Sequence, residues 1–241
     1  MTDGSSSGEA ANRRVAAALI AVAVVLANAA FIGLGSVFNY PDVLQEDAVR
    51  ILADFRADEG AIVACFLMLA ASAALLAPIA ILLGRLVSSD AGRLSVWIGI
   101  AAAAVQVVGL MRWPLLVPSL ADNNDTDAFE TIHTVLGTVV GETFGYLLTA
   151  AWTILIIGAL ARNLAGSWFP FLGYVAAALI AVGVLVPLDV PGADFANFVG
   201  YVLWSIWMLV LAALIVRRPE RIGSSEAKGP PAPSPAPTLA G

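Results

Sequence analysis

Arg112 and Glu142 each place a full charge inside a long run of apolar residues. A charge at the centre of a bilayer costs about 2.5 to 3.5 kcal/mol on insertion scales, so it normally has both a partner and a role. The two charges have opposite signs and are predicted to lie about 9 to 12 Å below the outer ends of successive helices. We therefore predict an Arg112–Glu142 ion pair, which either joins the two helices or forms a site for a ligand or a proton.

Polar residues continue on both sides of Glu142 along the same predicted helix. At 100° per residue, seven of them fall within about a third of the helix circumference: Thr131, Thr134, Thr138, Glu142, Tyr146, Thr149 and Thr153. Such a stripe should face protein or water rather than lipid, and we place Thr138 and Tyr146 in the candidate site. Asn28, Gln106 and Trp204 from other helices complete it, with interhelical hydrogen bonds or packing as their alternative role.

Three glycines lie beside this polar stripe. Gly137, Gly141 and Gly145 form two overlapping G-x-x-x-G steps. Because glycine has no side chain, this spacing lets the backbone of another helix approach closely. The glycines therefore predict a helix-packing surface and carry no chemistry themselves.

Several kinds of chemistry are excluded by what the sequence lacks. It contains one histidine (His133), one cysteine (Cys65) and one lysine (Lys228), and none of the common nucleotide, zinc or nucleophile motifs. His133 is expected to be a solvated residue at a helix start. A net charge of -6 with 12 basic residues disfavours a nucleic-acid partner. We predict no enzymatic activity, no metal site and no cofactor.

The elements that must position these residues follow from the composition. Of the 241 residues, 60% are hydrophobic and 12% are charged, about half the charge of a soluble domain. Six apolar runs are each long enough to cross about 30 Å of hydrocarbon as a helix: about 15–38, 61–84, 95–117, 134–160, 168–187 and 196–216. The predicted fold is therefore an all-α transmembrane bundle of six helices, covering residues 15–218.

The distribution of charge predicts the orientation of the bundle. Nine of the 12 basic residues fall on the side that carries both termini, and 12 acidic residues fall in the loops on the other side. Since basic loops remain in the cytoplasm, both termini are predicted to be cytoplasmic and the protein to lie in the plasma membrane. Residues 1–14 and 219–241 are predicted to be disordered. A cleaved signal peptide is the less favoured interpretation of the first apolar run, which is too long for one.

The loop between the first two spans contains a predicted amphipathic helix. Its apolar residues cluster toward one face: Val43, Leu44, Val49, Ile51, Leu52 and Phe55. We expect this helix to lie on the outer membrane surface. A lid over the helix ends, or a surface that binds a partner, would use the same pattern.

Several short motifs in the sequence resemble those of a known protein family. Residues 40–42 (Tyr-Pro-Asp), 112–114 (Arg-Trp-Pro), 141–145 (Gly-Glu-Thr-Phe-Gly) and 197–207 resemble an uncharacterised family of bacterial six-helix membrane proteins over roughly residues 15–218. The resemblance implies a six-helix fold and supplies no substrate, cofactor or catalytic residue.

The polar groups concentrate in the outer half of the predicted bundle, whereas its inner half is mainly Ala, Val, Leu and Ile. This asymmetry predicts an outward-facing cavity that binds, senses or transports a small or amphiphilic ligand or a lipid, with Glu142 as a protonatable group. The alternative is a non-catalytic accessory subunit of a larger membrane complex. A homo-oligomer is compatible with either role.

Overall fold

The structure is a computed structural model, and it describes residues 3–87, 89–161 and 164–217. Within those ranges the chain is helical and contains no strand. Six stretches are long and apolar enough to cross a membrane: Gly8–Phe38, Glu59–Gly84, Asp90–Asn123, Thr126–Leu160, Trp168–Leu188 and Ala193–Arg217. Each contains one predicted span, so the predicted six-helix bundle is confirmed. The predicted disordered tail, residues 219–241, lies outside the described residues.

The elements follow one another with short connections. The α-helices are α1 (Asp3–Phe38), α2 (Ala48–Ala57), α3 (Glu59–Gly84), α4 (Asp90–Leu115), α5 (Val117–Asn123), α6 (Thr126–Ile132), α7 (Gly145–Ile156), α8 (Trp168–Val182) and α9 (Ala193–Arg217). Short 3₁₀ turns occupy Asp42–Gln45 and Gly183–Leu188. Helix α1 begins at Asp3, so most of the stretch predicted to be a disordered lead, residues 3–14, is helical in the structure.

The fourth span is not a uniform α-helix. Two of its segments, His133–Phe144 and Ile157–Ala161, are π-helical, with backbone bonds reaching five residues along the chain instead of four. The Thr143 hydroxyl likewise donates a hydrogen bond of 2.9 Å to the Thr138 carbonyl, five residues earlier. A π-helix has more residues per turn, so side chains in this span depart from a register of 100° per residue.

Helix α2 covers one end of the bundle. Asp47 begins the helix by accepting a 2.8 Å hydrogen bond from the backbone nitrogen of Arg50. Ile51, Leu52 and Phe55 are buried against the ends of the spanning helices, whereas Val49 points outward and is 67% exposed. The amphipathic helix is thus present where the sequence predicts it. Its apolar face packs on the ends of the spanning helices, as in the lid alternative.

Two separate apolar cores hold the bundle together. The cap-side core, beneath α2, joins α1, α3, α4, α5 and α6 through Leu34, Phe38, Phe55, Phe66, Trp113 and Phe129 among others. The terminus-side core joins α1, α3, α4, α7, α8 and α9 through Ile20, Ile79, Trp152, Phe169 and Trp207 among others. Helices α8 and α9 supply no residue to the cap-side core. The cap-side half of α9 is therefore left beside an open space.

Candidate functional site

A cavity of about 490 Å³ fills this space between the two cores. Its walls come from α1, α3, α4, the fourth span and α9, and the segment that follows α1 covers one end. Its charged and amide residues are Asp42, Gln45, Asn28, Gln106, Arg112, Glu142, Asp194 and Asn197. Apolar side chains, including Phe31, Leu76, Val202 and Met208, form much of the remaining wall. The cavity therefore combines a small number of polar groups with a largely apolar lining.

Arg112 is almost fully buried at this cavity, with 4% of its surface exposed. Its Nη1 atom donates a hydrogen bond of 2.6 Å to the Gly109 carbonyl, one turn earlier in α4. Its guanidinium lies against Gly137, where an added Cβ would be 2.7 Å from Cζ. The Nε atom is buried without a hydrogen-bond partner. The chain thus holds this cation in place but satisfies only part of its hydrogen-bonding capacity.

Glu142 lines the same cavity from the π-helical segment of the fourth span. The predicted ion pair is wrong as a direct contact: the ion pairs within 4.0 Å among the described residues are Arg13–Glu9, Arg50–Asp54 and Arg93–Asp90. Arg112 turns back toward Gly109 and Gly137, which leaves the Glu142 carboxylate without an ion-pair or hydrogen-bond partner in the described part of the chain. The two opposite charges therefore share one cavity without touching.

Tyr40 lines the cavity from the segment that follows α1 and is not among the predicted site residues. Its backbone nitrogen donates to the Leu34 carbonyl at 3.3 Å, and its ring packs 5.6 Å from Phe66 and 5.9 Å from Phe31. Burial raises the pKa of the Tyr40 phenol to about 12, and the negative charge of Glu142 contributes in the same direction. Tyr40 therefore presents a neutral hydroxyl at physiological pH. The available signal was a tyrosine two residues after the end of a predicted span.

The other predicted site residues take different places. Gln106 lines the cavity and its amide donates to Thr149 Oγ1 at 3.1 Å, while Asn28 donates to Ser205 Oγ at 3.4 Å from a surface-exposed position. Tyr146 and Trp204 also line the cavity. Thr138 is not among the lining residues. The predicted polar stripe therefore contributes only part of its length to the cavity.

Tyr201 and Asn197 complete the polar lining from α9. The rings of Tyr201 and Tyr146 lie 6.0 Å apart, and the Trp204 indole nitrogen donates to Thr153 Oγ1 at 2.8 Å. The Asn197 amide donates to the Ile180 carbonyl at 2.8 Å and fixes α9 against α8. Aromatic and hydroxyl groups of α7 and α9 thus form part of the cavity lining.

The predicted glycine surface packs inside the molecule, against α4. Gly137 faces Arg112, Gly145 faces Gln106, and Gly141 meets Gly109, where an added Cβ would lie 3.0 Å from the Gly109 Cα. This contact brings two backbones together and sets Glu142 and Arg112 on neighbouring elements. The glycines are therefore used within the chain itself.

His133 lies outside the cavity at the start of a helical segment, and it is half-buried instead of fully solvated as expected. Its ring packs 5.5 Å from Phe129 and 6.4 Å from Trp113, and its Nδ1 atom is buried without a hydrogen-bond partner. The short helix α6 places the histidine against the cap-side core instead of in the loop. His133 is therefore a packing residue in this structure.

Six helices long and apolar enough to span a membrane define an integral membrane protein, and a cavity lies among them. The chain matches a family model over residues 15–212, and it belongs to that family, the domain of unknown function DUF4386. It matches no curated protein and no solved structure. The six-helix resemblance drawn from the short motifs is consistent with this membership.

Proposed function

We propose that this protein binds a small amphiphilic ligand in the cavity between its two cores. The observation that carries the proposal is the cavity itself, whose volume of about 490 Å³ falls within the range typical of small-molecule sites. Protein interiors are otherwise packed with few voids larger than a water molecule. A space of this size, lined by a few polar groups on apolar walls, fits a ligand with a polar head and an apolar body.

The route of entry supports an amphiphile. Three residues that line the cavity, Ile32 on α1 and Phe198 and Val202 on α9, are 75%, 50% and 41% exposed. The lining therefore includes exposed side chains on both α1 and α9, and we propose that the cavity opens to the membrane beside them. An amphiphile could enter from the membrane through this opening, with its polar group directed toward Arg112 and Glu142.

The test uses a pair of neighbouring alanines in α3. Ala73 lines the cavity, whereas Ala74 is exposed on the helix and absent from the lining. We expect Ala73→Phe to fill part of the space and weaken binding of a dodecyl-chain amphiphile about tenfold or more, a loss above 1.4 kcal/mol. Ala74→Phe should bind like the unchanged protein. Native mass spectrometry in a branched neutral detergent counts the bound molecules per chain.

The probes are dodecylphosphocholine, dodecyltrimethylammonium and dodecyl phosphate, which share one chain length and differ in charge. At least one should show a single saturable site per protein. The proposal is contradicted if none binds saturably, or if Ala73→Phe binds as tightly as Ala74→Phe.

We further propose that the protein lies in the plasma membrane with both termini in the cytoplasm. The excess of basic residues on the side of the termini supports this orientation. In a Cys65→Ala background, we expect a membrane-impermeant maleimide to label Asp58→Cys on intact cells and Asp90→Cys only after permeabilisation. These positions bracket the second span from opposite ends. The reverse labelling pattern would show the opposite orientation.

A further inference from the structure

The cavity contains two opposite charges that the protein leaves largely unsatisfied. Arg112 has one hydrogen bond, to the Gly109 carbonyl, and its buried Nε has none. Glu142 has no ion-pair or hydrogen-bond partner among the described residues, and the two side chains are not within 4.0 Å of one another. Arg112 is buried, whereas Glu142 is half-buried at the cavity wall. A ligand that fills the cavity removes water from both charges, and pairing with them offsets the hydration that they lose.

The opposite charges of Arg112 and Glu142 limit the charge that a ligand can carry. A ligand with a single charge would pair with one of the two residues and be repelled by the other. A ligand that carries both charges pairs with Glu142 through its cationic group and with Arg112 through its anionic group. Guanidinium groups bind phosphate and carboxylate well because their donors match the geometry of those anions.

The surroundings of Glu142 suit the cationic half of such a ligand. Tyr40, Tyr146 and Tyr201 line the same cavity as Glu142, and the rings of Tyr146 and Tyr201 lie 6.0 Å apart. Aromatic rings attract organic ammonium groups through their π faces, and aromatic cages are a common way of binding quaternary ammonium. A carboxylate and three tyrosines in one cavity lining are therefore suitable partners for an ammonium group.

Two further carboxylates in the cavity lining favour the same orientation of the ligand. Asp42 and Asp194 line the cavity and are exposed, and the lining contains no lysine within the part of the chain that the structure describes. The carboxylates attract the cationic part of an approaching ligand, whereas Arg112, the single basic residue of the lining, receives the anionic part. The apolar wall, including Phe31, Val202 and Met208, accommodates a hydrocarbon chain.

We propose that the ligand is a single-chain zwitterionic amphiphile, whose ammonium group lies at Glu142 and whose phosphate or carboxylate faces Arg112. This inference rests on the proposed function and adds the charge class of the ligand. The same chemistry occurs in the headgroup of a lysophospholipid and in a free zwitterion without a chain. The experiment separates these two sources.

The first arm compares dodecylphosphocholine with the two singly charged dodecyl amphiphiles in the unchanged full-length protein. We expect dodecylphosphocholine to bind about tenfold or more tightly than either, because it pairs with both charges. Phosphocholine without a chain should bind far more weakly. Equal affinity for free phosphocholine would overturn the chain requirement and identify a soluble zwitterion as the source.

The second arm exchanges the charges. Glu142→Gln should lose affinity for dodecylphosphocholine and shift its preference to dodecyl phosphate, whereas Arg112→Gln should shift it to dodecyltrimethylammonium. Glu130→Gln makes the same chemical change at an exposed position and should leave the preference unchanged. If Arg112→Gln does not fold, the ligand series on the unchanged protein and Glu142→Gln decide the outcome.

The outcomes separate the two proposals. If a singly charged dodecyl amphiphile binds the unchanged protein as tightly as dodecylphosphocholine, or if Glu142→Gln keeps the original order of affinities, the zwitterion assignment is overturned while the proposed function stands. If no amphiphile binds saturably, the proposed function itself fails.

Discussion

Replacement of Trp113 by alanine should destabilise the protein by about 3 to 5 kcal/mol, the usual loss when a large buried aromatic residue is truncated in a core. Trp113 is fully buried at the centre of the cap-side core. Its ring stacks on Phe66 at 4.7 Å and on Phe55 at 6.0 Å, and it meets Phe38 edge-on at 5.2 Å. Its loss removes the side chain that joins the cap helix α2 to α1 and α3.

Thermal unfolding in neutral detergent measures this effect, with two variants for comparison. Trp97→Ala removes an indole that is 71% exposed and should change stability little. Trp113→Phe keeps a ring in the stack and removes an indole nitrogen that has no hydrogen-bond partner, so its loss should be much smaller. A Trp113→Ala protein that unfolds at the temperature of Trp97→Ala would show that this aromatic cluster does not stabilise the cap.

Gly109→Ala should have the second large effect, because it forces apart the two backbones that carry the site. A Cβ at this position would lie 2.4 Å from the Gly141 Cα and 2.9 Å from the Leu136 carbonyl oxygen. Backbone atoms cannot move aside as a side chain can, so α4 and the π-helical segment must separate. We expect a loss of stability of about 1 to 3 kcal/mol or more, together with weaker binding of dodecylphosphocholine.

Gly158→Ala is the matched control for this change. Gly158 lies in the same span as Gly141, and an added Cβ there would meet nothing within 4 Å. The control should keep both stability and binding. If Gly109→Ala retains the unfolding temperature and the affinity of Gly158→Ala, the close glycine contact does not position Arg112 and Glu142.

The membrane-spanning fold could be predicted from the sequence because each span is an apolar run of the required length. The convergence of Arg112 and Glu142 on one region was also predictable, since they are the two formal charges inside the predicted spans. Whether the two side chains touch was not predictable. Whether an arginine reaches a carboxylate depends on its rotamer, and here the Gly109 carbonyl and the space beside Gly137 direct the guanidinium elsewhere.

The position of Thr138 shows a second limit on predicting the cavity-lining residues from the sequence. Residues four apart lie on nearly the same face of both an α-helix and a π-helix, so Thr138 shares a face with Glu142. Thr138 lies outside the cavity lining because the fourth span enters that lining only from Gly141 onward, whereas Glu142 and Tyr146 remain in it. Tyr40 was missed for another reason, because the fold of the segment after α1 brings it back over the cavity.

Because a cavity separates the two cores of the bundle, a molecule bound in it would contribute to the free energy of unfolding. A ligand that binds only the folded chain stabilises it in proportion to the logarithm of its concentration, by about 2.7 kcal/mol at one hundred times its dissociation constant. The space between the cores lacks the side-chain packing that would otherwise join them. If the proposed amphiphile is that ligand, the melting temperature should rise with the concentration of the amphiphile in the surrounding membrane or detergent.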